Sequence, residues 1–466
     1  MAIGDARAAP THQGGRSAGV AQNAKTPSSI RHAPFPSSVS PVQWGAHQLS
    51  LSITKGSAMS EHVFYEDVTA EGHLIDSNIL GKIMSGIVEL DGAFEMLSLD
   101  IGRGNENPST ITMRVSGTSR EHLAEILKAI HEQGVTPLHP EDARTQPAPA
   151  DGVFPEDFYS TTNLTTFIRL GGQWVRVANT EMDLGIRIDE QTQTAAGTPI
   201  GRVKAGDLFV VGQAGLRVVS QERPREKAAF EFMNSTVSSE KPKAQIVKQV
   251  ASLLREVRDS GRKTIAVAGP AVVHTGAAEH LARLVRHGYV GVLFGGNAVA
   301  THDIETALYG TSLGINMKSG APVPGGSEHH LRAINRIRAA GSIREAVEKG
   351  VLKSGLMHTL VQTETPYILA GSIRDDGPLP DVITDVIEAQ EAMRTWCQQA
   401  GACIMLSTML HSIATGNMLP ASVTTVCVDI DPAVVTKLAD RGSWQTIGVV
   451  TDVGLFLEQL ANELGC

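Results

Sequence analysis

The sequence predicts an α/β protein whose C-terminal half is a doubly wound parallel sheet. From residue 261 onward, short segments rich in β-branched residues alternate with helical stretches. Several of these segments are apolar on both faces, which is typical of parallel strands covered by helices on both sides. The candidate strands are Thr264–Ala268, Tyr289–Phe294, Tyr367–Gly371, Ala402–Leu406, Thr424–Val428 and Thr446–Val450.

A smaller α+β module is predicted ahead of this sheet, over residues 59–140. A strand over 63–72 is followed by a helix with apolar residues at helical spacing over 79–88. Two alternating strands, 95–101 and 110–115, and a second helix come next. This order is most of a split βαβ, ferredoxin-like unit. Such units often serve as interaction or regulatory modules, and nothing in this one indicates catalysis.

Between the α+β module and the parallel-sheet domain lies a linker with a small β-rich region, residues 141–225. The linker, 141–157, is rich in Pro and Ala, and the segments from 160 to 222 are short, apolar and separated by glycines. The remaining residues, 226–466, form the predicted α/β domain.

The first 58 residues differ in composition from the rest. They are rich in Ala, Ser, Gly and Pro, have one acidic residue, Asp5, and show no apolar periodicity. Such a segment does not bury enough apolar surface to offset the entropy of ordering it. Three interpretations stay open: a disordered tail, an organellar transit peptide, or leader sequence ahead of a start at Met59.

Composition excludes several classes of function. A net charge of −9, a pI near 6.0 and 4% aromatic residues argue against a nucleic-acid or anionic-membrane surface. No apolar run approaches the roughly 20 residues of a membrane span. The cysteines lie in the last 70 residues without a C-x-x-C pair, which predicts free thiols and a reducing, cytoplasmic location. They are Cys397, Cys403, Cys427 and Cys466.

Small, hydroxylic or acidic residues follow nearly every candidate strand. Ligands of open parallel sheets bind beyond the carboxyl ends of the strands, so these segments are expected to converge on one ligand. The fingerprint G-x-G-x-x-G is absent, so the segments form either a dinucleotide site of another kind or only tight strand-to-helix turns. The segments are GPAVVHTG (269–276), GGNA (295–298), SIRDDGPLPD (372–381), STMLHSIATGN (407–417), DIDP (429–432) and TDVG (451–454).

Individual residues of these segments also have structural interpretations. Asp431 precedes Pro432 and Asp452 precedes the last helix, so both are expected as helix N-caps. Asp429, by contrast, ends a strand, where a carboxylate accepts both ribose hydroxyls and repels a 2′-phosphate; this favours NAD over NADP. The helix starts at 295–298 and 407–410 could hold a pyrophosphate.

The helix after GGNA and a later polar loop supply further candidates. His302, Asp303 and Glu305 are expected on the solvated face of that helix. Residues 316–330 are polar and rich in Gly and Pro, as in an active-site loop, and Lys318 there could bind a carboxylate or act as a base. His274 is a candidate proton carrier. His329 and His330 are expected at the surface, and no metal-ligand spacing is present.

Longer motifs resemble a known family. EGHLIDSNILGKIMSGIVELDGAFEMLSLDIG resembles the conserved region of lysine-oxoglutarate reductase/saccharopine dehydrogenase (LOR/SDH) proteins. The run from AGPAVVHTGAAEHLARLVRHGYVGVLFGGNAVATHDIE onward, with GSIRDDGPLPD, MLSTMLHSIATGNMLP and VCVDIDP, is similar to the archaeal-type ornithine cyclodeaminases. This module also forms the C-terminal part of cyanobacterial arginine dihydrolase/ornithine cyclodeaminase enzymes. Their amidinotransferase-like domain has no counterpart here, so arginine hydrolysis is not implied.

The resemblance implies an NAD-dependent ornithine cyclodeaminase that makes proline and ammonia from L-ornithine. It also implies a deoxyhypusine-synthase-like NAD domain. From composition and motif spacing we expect no metal and no nucleic-acid or membrane partner, and we expect a homo-oligomer. Lys318 and His274 are the predicted catalytic residues. The cofactor contacts that it implies are Asn297, Ala298, Asp376, Ser407, Thr408, Met409, Leu410, His411, Asp429, Ile430, Asp431, Asp452 and Val453. Two alternatives stay open: a saccharopine-like amino-acid dehydrogenase, and a non-catalytic NAD-binding regulator.

Overall fold

The structure is a computed structural model that describes residues 64–102, 107–220, 243–324, 326–375, 377–440 and 446–466. All of these residues belong to one compact unit, Met59–Cys466. The predicted extension, residues 1–58, and the choice of Met59 as the start lie outside the described residues. None of the described helices is long and apolar enough to cross a membrane.

The first module has the predicted ferredoxin-like topology. Its sheet has the strand order β2-β3-β1-β4, with antiparallel pairing throughout. Alternate residues of β3 (Ile111, Met113 and Val115) are buried against the apolar faces of the two helices. The elements are β1 (Phe64–Gly72), α1 (Ile79–Glu89), β2 (Ala93–Asp100), β3 (Ser109–Gly117), α2 (Arg120–His131) and β4 (Thr136–Pro137).

The β-rich region forms a seven-stranded sheet with the order β11-β6-β7-β9-β8-β10-β5. Its first strand lies within the segment predicted as a linker and pairs with β10 at the edge of the sheet, where a proline is tolerated. The strands are β5 (Arg144–Pro147), β6 (Thr166–Leu170), β7 (Gln173–Ala178), β8 (Gly185–Asp189), β9 (Thr194–Thr198), β10 (Leu208–Val211) and β11 (Leu216–Val218), with a 3-10 turn at Ile200–Arg202.

The parallel sheet of the α/β domain contains all six candidate strands and a short seventh strand, Val382–Ile383. The first part of the domain contains α3 (Lys243–Asp259), β12 (Lys263–Ala268), α4 (Ala271–His274), α5 (Ala278–Arg286), β13 (Val292–Gly296), α6 (Asn297–Tyr309), β14 (Thr311–Ser312), β15 (Ile315–Asn316), a 3-10 turn (Gly326–Glu328), α7 (His329–Ala340), α8 (Ile343–Glu348) and α9 (Leu356–Gln362). The second part contains β16 (Tyr367–Ala370), β17 (Val382–Ile383), α10 (Val386–Cys397), β18 (Ala400–Leu406), α11 (Leu410–Met418), β19 (Thr424–Asp429), α12 (Pro432–Asp440), β20 (Thr446–Val450) and α13 (Val453–Leu464).

The sheet order fixes where a ligand is expected. The strands run β17-β16-β13-β12-β18-β19-β20 and every pair is parallel. Starting from β12, the chain adds strands on one side and then returns to add β18, β19 and β20 on the other. The order therefore reverses between β12 and β18, and the crevice beyond their carboxyl ends is the topological switch point.

Both faces of this sheet are buried, as predicted. Neighbouring residues of β12 and β18 enter different apolar clusters: Ala266 and Ile404 pack on one face, Ile265 and Cys403 on the other. All four cysteines are free, and three of them are buried. Continuous burial on two faces explains why these strands could be recognised from sequence.

Candidate active site

The loops after β12 and β18 touch at the switch point. The Gly269 N–H donates to Leu406 O at 2.9 Å. A Cβ atom added to Gly269 would lie 2.1 Å from Ser407 O, a distance that real Cβ atoms do not show. Ser407 has a left-handed backbone, with φ of 49°. Only glycine therefore fits at position 269. The loops after β12 and β18 are in direct contact and form one continuous surface at the carboxyl edge of the sheet, here called the switch-point floor.

The loops after β19 and β20 continue this floor. Ser407 N donates to Val428 O at 2.9 Å, and Thr451 N donates to Asp429 O at 3.0 Å. Asp429 is buried, and its Oδ1 accepts a hydrogen bond from Asp431 N at 2.9 Å. Four adjacent strands thus bring their carboxyl ends together, as the sequence predicted.

Two of the candidate cofactor residues use their carboxylates as helix caps. Asp431 Oδ1 accepts from Ala433 N at 2.9 Å, and Asp452 Oδ1 accepts from Leu455 N at 2.9 Å. These bonds confirm the N-cap interpretation of both residues. Ile430 is largely exposed between Asp429 and Asp431, and Val453 is buried at the start of α13.

The turn from Ser407 to His411 leads into α11. Met409 and Leu410 are exposed at this turn, and Ser407 and Thr408 are half-buried. The Nε2 atom of His411 is buried and has no hydrogen-bond partner among the described residues; burial lowers the pKa of this imidazole to about 4.

The hydroxyls of Ser412 and Thr415, on the same helix, are likewise buried without a partner in the described part of the chain. Buried polar atoms of this kind usually have a partner. Helix α11, which begins at the switch-point turn, thus carries three buried polar atoms that a bound polar group could satisfy.

The start of α6 offers backbone groups instead of side chains. Asn297 is buried, and its Oδ1 accepts from Leu379 N at 3.0 Å and from Thr301 Oγ1 at 3.3 Å. The Asn297 side chain thus binds the loop that contains Leu379. The backbone N–H groups of Asn297 and Ala298, at the helix N-terminus, have no partner within the helix. Asp376 lies outside the described residues.

The predicted solvated face of α6 is wrong: His302, Asp303 and Glu305 are all buried. Asp303 accepts from Leu356 N at 2.9 Å and from Met357 N at 2.8 Å, at the start of α9. Because α9 leads directly into β16, its N-terminus lies at the carboxyl edge of the sheet. Helix α6 therefore lies near the carboxyl edge of the sheet, and polar as well as apolar residues of this helix are buried.

Glu305 is the centre of a buried hydrogen-bond network. Its carboxylate accepts from His302 Nδ1 (2.9 Å), Thr311 Oγ1 (2.9 Å), Gly314 N (3.2 Å) and Leu313 N (3.3 Å). Burial alone would raise the pKa of Glu305, but the bonds from His302, Gly314 and Thr311 outweigh it and lower that pKa. Glu305 is therefore an anion, and the His302 nitrogen that faces it, Nδ1, bears a hydrogen.

His274 from α4 packs against this dyad. Its ring centroid lies 4.8 Å from that of His302, and its Nδ1 lies 2.7 Å from Ser312 Oγ. Burial, together with the neighbouring His302, lowers the pKa of His274, so its imidazole is neutral near pH 7. The structure thus brings the predicted proton carrier His274 next to a residue pair that the sequence interpretation missed.

A second histidine pair extends the network. Thr311 has one hydroxyl hydrogen and donates it to Glu305, since a carboxylate only accepts; Thr311 must therefore accept from His329 Nδ1 at 2.8 Å. The His329 ring stacks on Tyr309 with centroids 4.8 Å apart, and the His330 ring lies 6.4 Å from His302. Both histidines are half-buried, not surface residues.

The other predicted catalytic residue, Lys318, is exposed in the turn after β15. Its backbone N–H donates to Asn316 Oδ1 at 2.9 Å. No hydrogen bond or ion pair among the described residues joins its ammonium group to the histidine network. Nor do the described residues contain a group of three or more side chains that could hold a metal ion.

One sequence signal could have identified the missed dyad. His302 and Glu305 are three residues apart on a helix, a spacing at which side chains meet. Their burial depends on Thr311 and the 313–314 turn, which follow the helix.

Three family models match consecutive parts of the chain. The LOR/SDH bifunctional enzyme conserved region matches residues 65–164. The first region and the Rossmann-fold region of the C-terminal part of ArgZ-like arginine dihydrolases match residues 165–247 and 248–460.

Individual relatives extend over most of the chain. A Methanocaldococcus jannaschii protein named ornithine cyclodeaminase is 51% identical over 408 residues, 86% of this chain and 96% of the relative. The bifunctional arginine dihydrolase/ornithine cyclodeaminase AgrE of Nostoc sp. is 46% identical over 407 residues, 85% of this chain and 58% of the relative. The apo structure of ArgZ, a cyanobacterial arginine dihydrolase, superposes with a TM-score of 0.75 at 40% identity, covering 86% of this chain and 58% of that one. The chain belongs to the archaeal-type ornithine cyclodeaminase family.

Proposed function

We propose that the protein is an NAD-dependent ornithine cyclodeaminase that converts L-ornithine to L-proline and ammonia. The observation that supports this most strongly is the buried His302–Glu305 dyad beside His274, at the carboxyl edge of a doubly wound sheet. The archaeal relatives that cover the same length have the corresponding name. A cytoplasmic homo-oligomer stays a prediction.

In this proposal NAD lies across the switch point. The floor formed by the β12 and β18 loops would approach it closely, and Asp429 would receive its ribose hydroxyls. His411, Ser412 and Thr415 of α11 have buried polar atoms without a partner among the described residues. The residues proposed to hold it are Asn297, Ala298, Asp376, Ser407, Thr408, Met409, Leu410, His411, Asp429, Ile430, Asp431, Asp452 and Val453. When bound, NAD supplies reversible hydride acceptance at the ornithine α-carbon.

The protein's own contribution is proton transfer and placement. In the neutral imidazole of His302, the hydrogen on Nδ1 that faces Glu305 leaves the lone pair on Nε2, which would accept a proton from a substrate ammonium group. The Glu305 carboxylate stabilises the imidazolium that results. His274, neutral near pH 7, takes a second proton or returns one to the departing ammonia. Lys318 is proposed to bind the substrate carboxylate from its exposed turn.

This function predicts a redox-neutral reaction. With L-ornithine and NAD at catalytic concentration, we expect stoichiometric proline and ammonia without accumulation of NADH. Amino-acid analysis and absorbance at the NADH band measure both. Stoichiometric NADH would indicate an amino-acid dehydrogenase. Nucleotide binding without any product would indicate a regulator.

Asp429 predicts the choice of nucleotide. Its buried carboxylate should repel a 2′-phosphate, so Asp429→Ser is expected to lower the NAD-to-NADP affinity ratio at least about tenfold. Calorimetric titration with each nucleotide measures the ratio. Asp259→Ser, an exposed acid at the end of α3, is the control and should leave the ratio at the wild-type value. An unchanged ratio in Asp429→Ser would place the ribose elsewhere.

A further inference from the structure

The β-rich region makes its most specific contact with the C-terminal end of α11. Asn163, in the segment before β6, is buried. Its Nδ2 donates to Leu419 O at 2.5 Å and to Asn417 O at 3.1 Å, and its own carbonyl accepts from Ala421 N at 3.0 Å. The last carbonyl groups of a helix lack partners within the helix. Asn163, from the β-rich region, provides a hydrogen-bond donor for the carbonyl groups at this helix end.

A second segment of the same region reinforces this cap. Met182 N also donates to Asn417 O, at 3.1 Å. Thr161 holds the two segments together, because its hydroxyl donates to Glu181 O at 2.6 Å and accepts from Leu184 N at 3.1 Å. Several hydrogen bonds from two connected segments of the β-rich region therefore hold the C-terminal end of α11.

Ion pairs, one of them largely buried, join the β-rich region to the neighbouring helix α10. Arg394 Nε lies 2.7 Å from Glu181 Oε1, and both side chains are largely buried. Arg394 also pairs with Glu391, at 2.8 Å, and Glu391 pairs with Arg202 of the β-rich region. The β-rich region thus holds both helices that flank β18.

Helix α11 connects this anchor to the switch point. It has nine residues and is about 13 Å long. Its C-terminal end is capped by Asn163. Its N-terminal end is the turn from Ser407 to His411, where the buried Nε2 of His411 has no partner among the described residues. A change in the position of one end of so short a rigid helix moves the other end.

We propose that Asn163 is a positioning residue for the cofactor, and that the β-rich region serves to set the turn 407–411 through α11. This inference rests on the proposed NAD site. Asn163 touches neither the turn nor the histidine network, so its effect passes through the helix. The expected consequence is specific: weaker NAD binding, with little effect on the proton-transfer groups of α4 and α6.

The test compares Asn163→Ala with wild-type full-length protein freed of nucleotide. Isothermal titration with NAD is expected to show a dissociation constant raised about tenfold or more. At saturating NAD, kcat with ornithine is expected within about threefold of wild type. Asn163→Ser, which keeps a shorter donor, is expected between the two. Thermal unfolding of each variant gives the temperature range in which binding to the folded protein is measured.

The control is Ser342→Ala, which removes the N-cap hydroxyl of α8 in the same domain; that hydroxyl accepts from Glu345 N, within α8. Its affinity for NAD should stay within about twofold of wild type. Equal NAD affinity in wild type and both Asn163 variants would overturn the inference, as would a loss of affinity in Ser342→Ala matching that of Asn163→Ala. Absence of NAD binding by the wild type would overturn the proposed function itself, which separates the two failures.

Discussion

Replacing His302 with Gln is expected to lower kcat for proline formation by about 10²- to 10⁴-fold, the usual contribution of a positioned acid–base group. Gln has no nitrogen that takes up a proton near neutral pH. Steady-state kinetics with ornithine at saturating NAD measures the loss. NAD affinity should stay near that of wild type, since His302 faces His274 and Glu305 instead of the switch-point floor.

Glu305→Gln should reduce kcat by roughly a hundredfold for a related reason. An amide neither stabilises a charged imidazolium nor accepts all of the hydrogen bonds that Glu305 accepts. In the wild type, activity should rise with pH as His274 loses its proton, and this limb should move to lower pH in Glu305→Gln, because the charge of Glu305 raises the pKa of His274. The matched control is His287→Gln, at the exposed end of α5, with kinetics like those of wild type. Full activity of His302→Gln would remove the dyad from the reaction.

Gly269→Ala is expected to have the second large effect, on both stability and NAD binding. Its Cβ would lie 2.1 Å from the backbone oxygen of Ser407, so one of the two loops must move. Overpacking of this kind typically costs about 1–3 kcal/mol, and we expect the upper part of that range in the free energy of unfolding because a backbone atom, not a flexible side chain, is displaced.

Urea unfolding and NAD titration measure the two consequences of Gly269→Ala. Gly201→Ala, with no atom within 4 Å of its new Cβ and no positive φ, is the matched control and should match wild type in both measurements. If Gly269→Ala is as stable as wild type and binds NAD equally well, the loops after β12 and β18 do not form the floor described above.

The parallel sheet could be predicted because its strands have a strong local signal. Segments such as Thr264–Ala268 and Ala402–Leu406 are β-branched or apolar at nearly every position, which suits strands buried on both faces. The short strands gave no such signal. Strand β5, Arg144–Pro147, is polar and forms through pairing with β10, more than sixty residues later.

The parts of the candidate site that could be predicted are those whose position follows from the topology of the sheet. Asp429 and the 407–411 turn could be predicted as site residues because strand ends of parallel sheets meet at one edge. The role proposed for His302 and Glu305 could not be predicted in the same way, because a helix with polar residues on it normally turns them to water. Their burial follows from tertiary contacts: Asp303 caps α9, more than fifty residues later, and this draws α6 along the edge. Lys318 was predicted from the composition of its loop. Composition does not indicate how far the Lys318 side chain lies from the histidine network.

The central claim, hydride removal and return at one carbon of ornithine within a single site, is tested most directly with L-ornithine deuterated at the α-carbon. Mass spectrometry of the proline formed with unlabelled, catalytic NAD reports the fate of the deuterium. We expect proline that retains the deuterium at its α-carbon, because the hydride returns to the carbon from which it left. Loss of the deuterium to solvent, or its appearance in released NADH, would contradict the proposed cyclodeaminase reaction.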